Sequence, residues 1–361
     1  MPKFKTMDEI LRHIIAEKAS DLHIGENTIP QMRKETDLIA IGEAPFTKQD
    51  MTKLLLEHLP EDRLKEFEKE RELDYSFGIQ GLGRFRVNLY YQRDLIGAAL
   101  RVLPEKPMNF EQIGFPADVA KGLLAKPSGM ILVTGATGSG KTTTLAAMID
   151  HINANENLHI VTVEDPIELV FQDKKSMVSQ REVGSDTLSF TQALRHVLRQ
   201  DPDVILIGEM RDLETIEIAL TCAETGHLVF ATLHTPDAVQ SVNRIIDVFP
   251  SGQQQQVRVQ LSFVLQGVIS QQLIQKIGGG LVLAPEILIA TPAIRNLIRE
   301  SKTHQIYSAV QMGQKEGMRT LNMSLAELVR TNKITRENAY LRSSDISELE
   351  RLLSETKLGR R

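Results

Sequence analysis

The feature that most constrains this chain is a glycine-rich loop that directly follows a short apolar run. Residues 130–134 read Met-Ile-Leu-Val-Thr, and residues 135–142 read Gly-Ala-Thr-Gly-Ser-Gly-Lys-Thr. The second segment meets the phosphate-binding pattern G-x-x-x-x-G-K-[ST], and a helical pattern over 142–152 follows it. Glycines let backbone N–H groups converge on one anion, and the positive end of the following helix strengthens the attraction. A chance glycine loop is the alternative, but the strand before it and the helix after it favour a site for a nucleoside triphosphate.

Two side chains of this loop carry chemistry that the backbone cannot supply. Lys141 is expected to reach the β- and γ-phosphates, and the Thr142 hydroxyl is expected to bind Mg²⁺. The expected nucleotide-binding residues are Gly135, Ala136, Thr137, Gly138, Ser139, Gly140, Lys141, Thr142 and Thr143. The loop therefore predicts nucleotide and Mg²⁺ binding, but it does not tell what the energy is used for.

The net charge and the cysteine count limit the classes of function. The chain has 361 residues, a length typical of two domains, and a formal net charge of −5. This net charge argues against a broad basic surface that binds nucleic acid, although it is compatible with a local basic channel. Cys222 is the one cysteine, so an intrachain disulfide and a four-cysteine zinc site are excluded, and a reducing, cytoplasmic setting fits. No apolar run approaches the roughly 18–20 residues of a membrane span, so membrane association is expected only through partners.

The sequence pattern changes along the chain and predicts two domains. Residues 1–103 mix amphipathic helices with alternating strands, which predicts a small α+β domain. Residues 104–116 contain three prolines and are expected to form the interdomain linker. Residues 117–361 alternate helices with apolar strands, expected at 130–134, 158–163, 203–207, 228–233 and 281–288. This pattern is typical of a parallel sheet covered by helices, which binds ligands beyond the carboxyl ends of its strands.

Two stretches of helical periodicity lie within the second predicted domain. The first, Leu188–Gln200, places Arg195 and Arg199 on one face, where they could contact phosphate or pair with carboxylates. The second begins at the glutamine run 253–256. Its apolar positions predict a helix that continues through Val257, Leu261, Val264, Leu265 and Val268.

Acidic residues follow two of the predicted strands. The strand 159–163 runs into Glu164-Asp165-Pro-Ile-Glu168, and we expect this strand beside the strand of the glycine-rich loop. A glutamate there can orient the attacking water in phosphoryl transfer. The alternative is an acidic turn with solvated carboxylates. The pattern favours a functional role for Glu164 over Asp165 and a structural one for Glu168.

A second acidic motif and two histidines follow further along the chain. The apolar run 204–207 leads to Gly208-Glu209, a Walker B pattern whose acid belongs near Mg²⁺. His227 and His234 flank the apolar strand 228–233 and are expected at its opposite ends. Each can be an ordinary polar residue at the end of a strand. A histidine beside a γ-phosphate can instead transmit the presence of the phosphate to the other side of the sheet. The interpretation favours a functional role for His227 over His234.

Three arginines of the first predicted domain complete the candidate residues. Arg84, Arg86 and Arg101 lie on neighbouring predicted strands and can be ordinary surface residues. A hydrolysis site built from the motifs above has no transition-state cation beyond Lys141 and Mg²⁺. An arginine supplied by another domain or subunit would provide that charge.

These segments together resemble the secretion ATPase superfamily, which powers type II and type IV secretion and type IV pili. The resemblance rests on the Walker A loop 135–142, an aspartate box at 160–168, Walker B at 204–209 and a histidine box at 226–234. Within the superfamily the chain looks most like the type IV pilus retraction ATPases, or twitching motility proteins. The segment Ala293-Ile-Arg-Asn-Leu-Ile-Arg-Glu300 is a retraction-type signature.

The resemblance leaves one assignment open. Extension ATPases of the superfamily usually carry a four-cysteine zinc motif, which one cysteine cannot supply, so retraction is favoured over extension. Residues 90–97, Tyr-Tyr-Gln-Arg-Asp-Leu-Ile-Gly, look more like the accessory, paralogous retraction ATPase. The segment 293–300 outweighs them, but both the principal and the accessory assignment remain possible.

The resemblance implies a fold, an assembly and roles for individual residues. It implies an N-terminal PAS-like domain, a RecA-like ATPase domain with C-terminal helices, and a homohexamer at the cytoplasmic face of the inner membrane. This ring would hydrolyse ATP with Mg²⁺ to retract pili through an inner-membrane platform protein. The implied catalytic residues are Glu164 as base, Glu209 at Mg²⁺ directly or through water, Lys141, His227, and Arg86 and Arg101 as arginines that reach the nucleotide when the domains close, with Arg84 a further candidate.

Two other functions are compatible with the glycine-rich loop 135–142, called the P-loop from here on. A RecA-like nucleic-acid translocase fits the core pattern, but the acidic net charge and the lack of basic-aromatic patches argue against it. A regulatory nucleotide-binding adaptor with little turnover is disfavoured because Glu164 and Glu209 are both present.

Overall fold

The computed structural model describes Phe4 and residues 6–34, 37–56 and 59–355. The chain divides into two compact units. Unit 1 comprises Met1–Lys106 together with Pro166–Val170, and unit 2 comprises Pro107–Asp165 and Phe171–Arg361. Within the described ranges, no helix has both the length and the apolar character to cross a membrane.

The described residues of unit 1 form three helices and one antiparallel sheet. Its elements are α1 (Met7–Ala16), β1 (Asp21–Gly25), β2 (Gln31–Lys34), β3 (Asp37–Ala40), α2 (Lys48–Leu56), α3 (Glu61–Glu70), β4 (Glu72–Ile79), β5 (Gly83–Gln92) and β6 (Leu95–Leu103). The strand order is β3-β2-β1-β6-β5-β4, and each neighbouring pair is antiparallel. This is the small α+β domain that the sequence predicts.

Alternation along the strands of unit 1 separates an apolar face from a polar face. Leu22, Val87 and Leu100 point into a core that also contains the apolar side of α1. Side chains one position away point to the other face, because successive residues of a strand alternate. Asp21, Arg86 and Arg101 therefore belong to the polar face.

Unit 2 is an α/β structure built on one larger sheet. Its strands are β7 (Gly129–Thr134), β8 (His159–Glu164), β9 (Met177–Glu182), β10 (Val204–Ile207), β11 (Leu228–Leu233), β12 (Leu265–Gln275) and β13 (Leu281–Ile289). Its helices are α4 (Phe110–Ile113), α5 (Ala117–Leu124), α6 (Lys141–Asn155), α7 (Phe190–Val197), α8 (Leu213–Glu224), α9 (Ala238–Asp247), α10 (Gln254–Val264), α11 (Pro292–Arg299), α12 (Ile306–Met312), α13 (Leu321–Arg330), α14 (Arg336–Arg342) and α15 (Ile346–Glu355).

The sheet of unit 2 is mainly parallel, as predicted. Its strand order is β13-β12-β7-β11-β10-β8-β9, and β13 alone among these strands runs antiparallel to its neighbour. Buried apolar clusters lie on both faces, one against α7–α10 and the other against α5 and α6. The carboxyl ends of β7, β8, β10 and β11 share one edge, here called the P-loop edge.

Capped helices leave this edge. Asp212 caps α8 by accepting a hydrogen bond from Thr215 N, and Asp237 caps α9 by accepting one from Gln240 N. Each cap satisfies a backbone donor that the first helical turn leaves unpaired. The segments that carry Glu209 and His234 therefore end at defined positions.

The helix expected to continue through Val268 ends at Val264, so that part of the prediction is wrong. Leu265 is already extended and begins β12, which pairs with β7 on one side and β13 on the other. Leu265 and Val268 satisfy a helical spacing by coincidence. The hydrogen bonds offered by two neighbouring strands decide their conformation, an example of tertiary structure overriding local pattern.

The segment between the two predicted domains contains ordered structure. Asn109 and Gln112 form a capping box at the start of α4. Phe110 and Phe115 are buried in a core cluster of unit 2. The contact boundary between the units lies at Lys106 and Pro107.

Candidate nucleotide site

The glycine-rich loop connects β7 to α6 through residues that need glycine. Gly135, Gly138 and Gly140 have φ values of +137°, +78° and +90°, which side chains rarely tolerate. A Cβ at Gly135 would lie 2.5 Å from the Gln271 carbonyl oxygen and 2.6 Å from Ser139 Oγ. Glycine is therefore required at this position by space as well as by conformation.

The loop has the properties of an anion cradle. Lys141 Nζ donates to the carbonyl oxygens of Gly135 at 2.8 Å and Ala136 at 3.2 Å, so its ammonium group lies over the loop. In the described part of the chain, Ser139 Oγ is buried and has no hydrogen-bond partner. Thr142 and Thr143 are exposed at the positive N-terminal end of α6. These features fit a triphosphate with its Mg²⁺, the ligand predicted from the sequence.

Glu164 ends β8 and is nearly buried, with 8% of its surface exposed. Thr162 Oγ1 donates to Glu164 Oε1 at 2.7 Å, and Gln180 Nε2 donates to the same oxygen at 3.2 Å. The expectation that β8 lies beside the strand of the loop is wrong, because β11 and β10 lie between β7 and β8. Three strand spacings amount to roughly 14 Å. Glu164 reaches the P-loop edge from a more distant strand than expected.

Glu209 follows β10 at the same edge and is held by two basic groups. Arg211 Nη2 donates to Glu209 Oε2 at 2.7 Å, and His234 Nε2 lies 3.1 Å from Glu209 Oε1. Burial raises the pKa of the Glu209 carboxyl, but the Arg211 hydrogen bond and the charges of His234 and Arg211 outweigh it and hold that pKa below its ordinary value. Glu209 is therefore kept as a carboxylate, the form that binds a divalent cation.

The two histidines lie at opposite ends of β11, as expected, and only one of them is near Glu209. β11 runs parallel to β7, with Leu228 paired with Gly129 and Leu233 paired with Thr134. His227 therefore lies level with the start of β7, roughly 20 Å from the glycine-rich loop at ~3.3 Å per residue. Within one chain His227 is remote from the P-loop edge. His234 lies at that edge and contacts Glu209.

The arginines of unit 1 lie on its polar face. Arg86 Nη1 donates to Glu168 Oε1 at 3.2 Å, and Arg101 Nε donates to Asp21 Oδ1 at 2.8 Å. Arg84 Nη2 donates to Ser76 Oγ at 2.7 Å and to the Ile167 carbonyl oxygen at 3.3 Å. Arg86 and Arg101 thus each have one carboxylate partner.

The two arginines of the predicted helix 188–200 do not form one face. The helix is α7, which ends at Val197, so Arg199 lies beyond it. Arg195 pairs with Glu214. Of the two alternatives for Arg195, the structure favours the one in which it pairs with a carboxylate.

The sequence interpretation missed two polar residues close to this site. Arg211, two positions after Glu209, carries the charge that holds the Glu209 carboxylate, and the short spacing was the available signal. Gln271 is buried on β12, where its carbonyl oxygen approaches Gly135 and its Nε2 donates to Thr144 Oγ1 at 2.7 Å. It was hidden because β12 itself was not predicted.

Comparisons with known proteins agree with this geometry. The family model described as type II/IV secretion system protein matches residues 96–352. The type IV pilus retraction ATPase PilT of Pseudomonas aeruginosa is 50% identical over 92% of this chain and 96% of its own length. The type IV pilus ATPase PilU of the same organism is 36% identical over 98% of this chain and 91% of its own.

A solved structure gives the same result for the fold. The crystal structure of the pilus retraction motor PilT with bound ADP superposes with a TM-score of 0.88 at 50% identity, covering 95% of this chain and 98% of that one. The agreement extends over both units. The chain therefore belongs to the type II/IV secretion system protein family, and within it to the ATP-hydrolysing group that includes the pilus retraction ATPases.

Proposed function

We propose that this chain is a motor ATPase that uses ATP hydrolysis to retract type IV pili. The observation that carries the proposal is the P-loop edge, where the P-loop and Glu209 with its basic partners lie at the same edge of the sheet. The chain is also 50% identical to a pilus retraction ATPase. The retraction activity belongs to that relative and comes to this chain by their similarity. The presence of both Glu164 and Glu209 at this edge argues against a passive nucleotide-binding adaptor.

The proposed chemistry assigns a task to each residue of the edge. Backbone N–H groups of 135–143 bind the phosphates, and Lys141 leaves its loop carbonyls to contact the β- and γ-phosphates. Glu164 accepts the proton of the attacking water and orients it, with Thr162 and Gln180 fixing the carboxylate.

Magnesium is held by the two groups that are suited to a hard cation. The Thr142 hydroxyl and the Glu209 carboxylate bind it, the latter directly or through water. Bound Mg²⁺ supplies neutralisation of the charge that develops on the phosphate oxygens. His234 and Arg211 orient Glu209 for this task, so His234 is a positioning residue rather than a residue that touches substrate.

The remaining positive charge comes from the N-terminal domain. We infer that Arg86 and Arg101 contact the nucleotide when the N-terminal domain, residues 1–103, closes on the ATPase domain, residues 117–361. Arginine suits this task because its planar guanidinium matches phosphate oxygens and stays charged. Closure driven by ATP and reopening after hydrolysis turn phosphate chemistry into domain motion, with 104–116 as the connection.

The assembly and partner follow from the same proposal. The protein acts as a homohexamer at the cytoplasmic face of the inner membrane, where it moves a platform protein so that pilin subunits leave the fibre. Membrane association goes through that partner. Identity of 50% to PilT against 36% to PilU favours the principal retraction ATPase over the accessory paralogue.

Two experiments test the proposal. Purified protein is expected to hydrolyse ATP in a Mg²⁺-dependent way, and Lys141→Ala is expected to abolish turnover while the matched surface change Lys126→Ala leaves it unchanged. A deletion strain is expected to carry excess surface pili and to lose twitching. Bald cells would instead indicate pilus assembly, a mild defect would indicate the accessory paralogue, and normal turnover by Lys141→Ala would refute the site.

A further inference from the structure

A group of buried and partly buried hydroxyls lies directly behind the P-loop. Thr134 is the last residue of β7, immediately before Gly135, and it is fully buried. Thr134 Oγ1 lies 2.8 Å from Ser270 Oγ on β12 and 3.3 Å from Ser241 Oγ on α9. Thr235 Oγ1 lies 2.7 Å from Ser241 Oγ. Four hydroxyls from three segments therefore meet at the base of the loop.

Ser241 joins the two ends of this group. Its single hydroxyl hydrogen can be donated to the Asp237 carbonyl oxygen at 2.6 Å or to Thr134 Oγ1 at 3.3 Å. In the pairs Thr134–Ser270 and Thr235–Ser241 either oxygen can be the donor. The four hydroxyls therefore form one continuous series of hydrogen-bond contacts from β12 through the P-loop strand to the start of α9.

The far end of this chain lies beside the residue that contacts Glu209. Thr235 directly follows His234, whose Nε2 is 3.1 Å from Glu209 Oε1. Three residues further on, Ala238 N donates to Glu286 Oε1 at 2.8 Å. The segment 234–238 is thus held at one end by the His234–Glu209 contact and at the other by the buried hydrogen bond from Ala238 N to Glu286.

We propose that the hydroxyl chain Ser270–Thr134–Ser241–Thr235 is a positioning device that fixes His234, and through it Glu209, relative to the P-loop. The inference deepens the proposed function, because it assumes that Glu209 serves ATP hydrolysis at this edge. Buried hydroxyls are normally hydrogen-bonded in any protein, so a purely structural role predicts a loss of stability alone. The positioning role also predicts a loss of turnover that depends on His234.

The test compares three changes in the full-length, assembled protein. Thr134→Val keeps the shape and removes the hydroxyl, whereas Thr134→Ser keeps the hydroxyl. Thr134→Val is expected to lower kcat about 10- to 100-fold, the size expected of a small misplacement at a reacting centre, with KM for ATP changed less than about twofold. Thr134→Ser is expected to restore most of kcat. The control is Ser262→Ala, a buried hydroxyl on α10 that donates to Val259 O at 2.7 Å and is expected to leave kcat unchanged.

Two further measurements separate positioning from folding. Hydrogen exchange of the segment 234–238 is expected to rise in Thr134→Val and to stay unchanged in Thr134→Ser and Ser262→Ala. In a His234→Ala background, Thr134→Val is expected to cause little further loss of kcat, because residues that act in one network are not additive. Equal loss in both backgrounds, unchanged exchange, or unchanged kcat would each overturn the proposal. Any of these three outcomes would leave the proposed function intact, because Lys141→Ala tests that function separately.

Discussion

Arg86 on β5 and Arg101 on β6 are direct cross-strand partners, so two guanidinium groups leave the same face of the unit 1 sheet side by side. Like charges placed opposite each other destabilise a sheet. Each arginine is offset by one carboxylate, Glu168 for Arg86 and Asp21 for Arg101. Asp21 is itself the cross-strand partner of Arg101 on β1. A polyanionic ligand would have to compete with these two carboxylates for the guanidinium groups.

The first prediction concerns Arg101, whose side chain is 66% exposed although its Nε is paired. Arg101→Ala is expected to lower kcat by at least about 100-fold if the arginine stabilises the transition state of phosphoryl transfer. Thermal stability is expected to fall modestly, because the nearly buried Asp21 carboxylate loses its guanidinium partner while the repulsion with Arg86 disappears. ATPase assays and thermal unfolding of the assembled protein measure both quantities.

Arg12→Ala provides the control for this prediction. Arg12 also forms an exposed ion pair, with Asp8 in the same helix, and lies outside the proposed site. Its removal is expected to leave both kcat and stability unchanged. Equal turnover by the Arg101 and Arg12 variants would remove Arg101 from the mechanism.

The second prediction concerns the pH dependence of turnover. His234 helps to hold the pKa of Glu209 below its ordinary value. Without His234 the Glu209 pKa rises, so the carboxylate is protonated at a higher pH than in the wild type. The acidic limb of the kcat profile of His234→Ala is therefore expected to move to higher pH.

His227→Ala is the matched control for that experiment. It removes the same side chain type from the other end of β11, which is remote from the glycine-rich loop. Its pH profile is expected to follow that of the wild type. A shift caused by His227→Ala and absent from His234→Ala would reverse the assignment of the two histidines.

Local sequence patterns predicted much of the fold because the decisive signals are contiguous. The P-loop, its flanking strand and helix, and the strands that end at Glu164 and Glu209 each follow from a few neighbouring residues. The mainly parallel sheet follows from apolar strands alternating with helices. These features need no knowledge of distant contacts.

The errors arose where distant strands determine the structure. The β12 segment looks helical until β7 and β13 offer it hydrogen bonds from both sides. The strand order is equally invisible locally, so β8 was expected beside β7. The position of each histidine relative to the P-loop was invisible for the same reason, and the preference for His227 over His234 stays a prediction. Opposite ends of a strand are evident from the sequence, but the edge that faces the P-loop is set by the direction of β11 relative to β7.

The third prediction concerns Gly135. Gly135→Ala would place a methyl group 2.5 Å from the Gln271 carbonyl oxygen, which belongs to a central strand and cannot move aside easily. The φ of +137° is also strained for alanine. Nucleotide binding is expected to fall by at least about tenfold, in keeping with strain of about 1–3 kcal/mol. Binding of a fluorescent ATP analogue measures it. Gly122→Ala, in α5 where an added Cβ meets nothing within 4 Å, is expected to bind normally.

The fourth prediction concerns Glu286, a buried carboxyl on β13. Its pKa is raised to about 7 in total: burial is the largest cause, the charges of Asp237 and Glu348 add to it, and the Ala238 N–H partly opposes it. A carboxyl whose pKa is raised on folding contributes stability that is complete below its unfolded pKa and is lost as pH rises through its folded pKa. For Glu286 the loss therefore runs from about pH 4.5 to about pH 7, and it amounts to about 3 kcal/mol at most.

Glu286→Gln removes this titration and keeps an amide oxygen that can accept from Ala238 N. The variant is expected to gain stability relative to the wild type as pH rises from 4.5 to 7, with a constant difference above that range. Unfolding measured at pH steps across this window gives the difference directly. Glu327→Gln, which removes an exposed carboxylate paired with Arg319, is the matched Glu→Gln substitution measured beside it. If the difference in unfolding free energy between Glu286→Gln and the wild type does not change with pH, this carboxyl ionises in the folded protein as it does in water. Groups other than Ala238 N would then compensate for its burial.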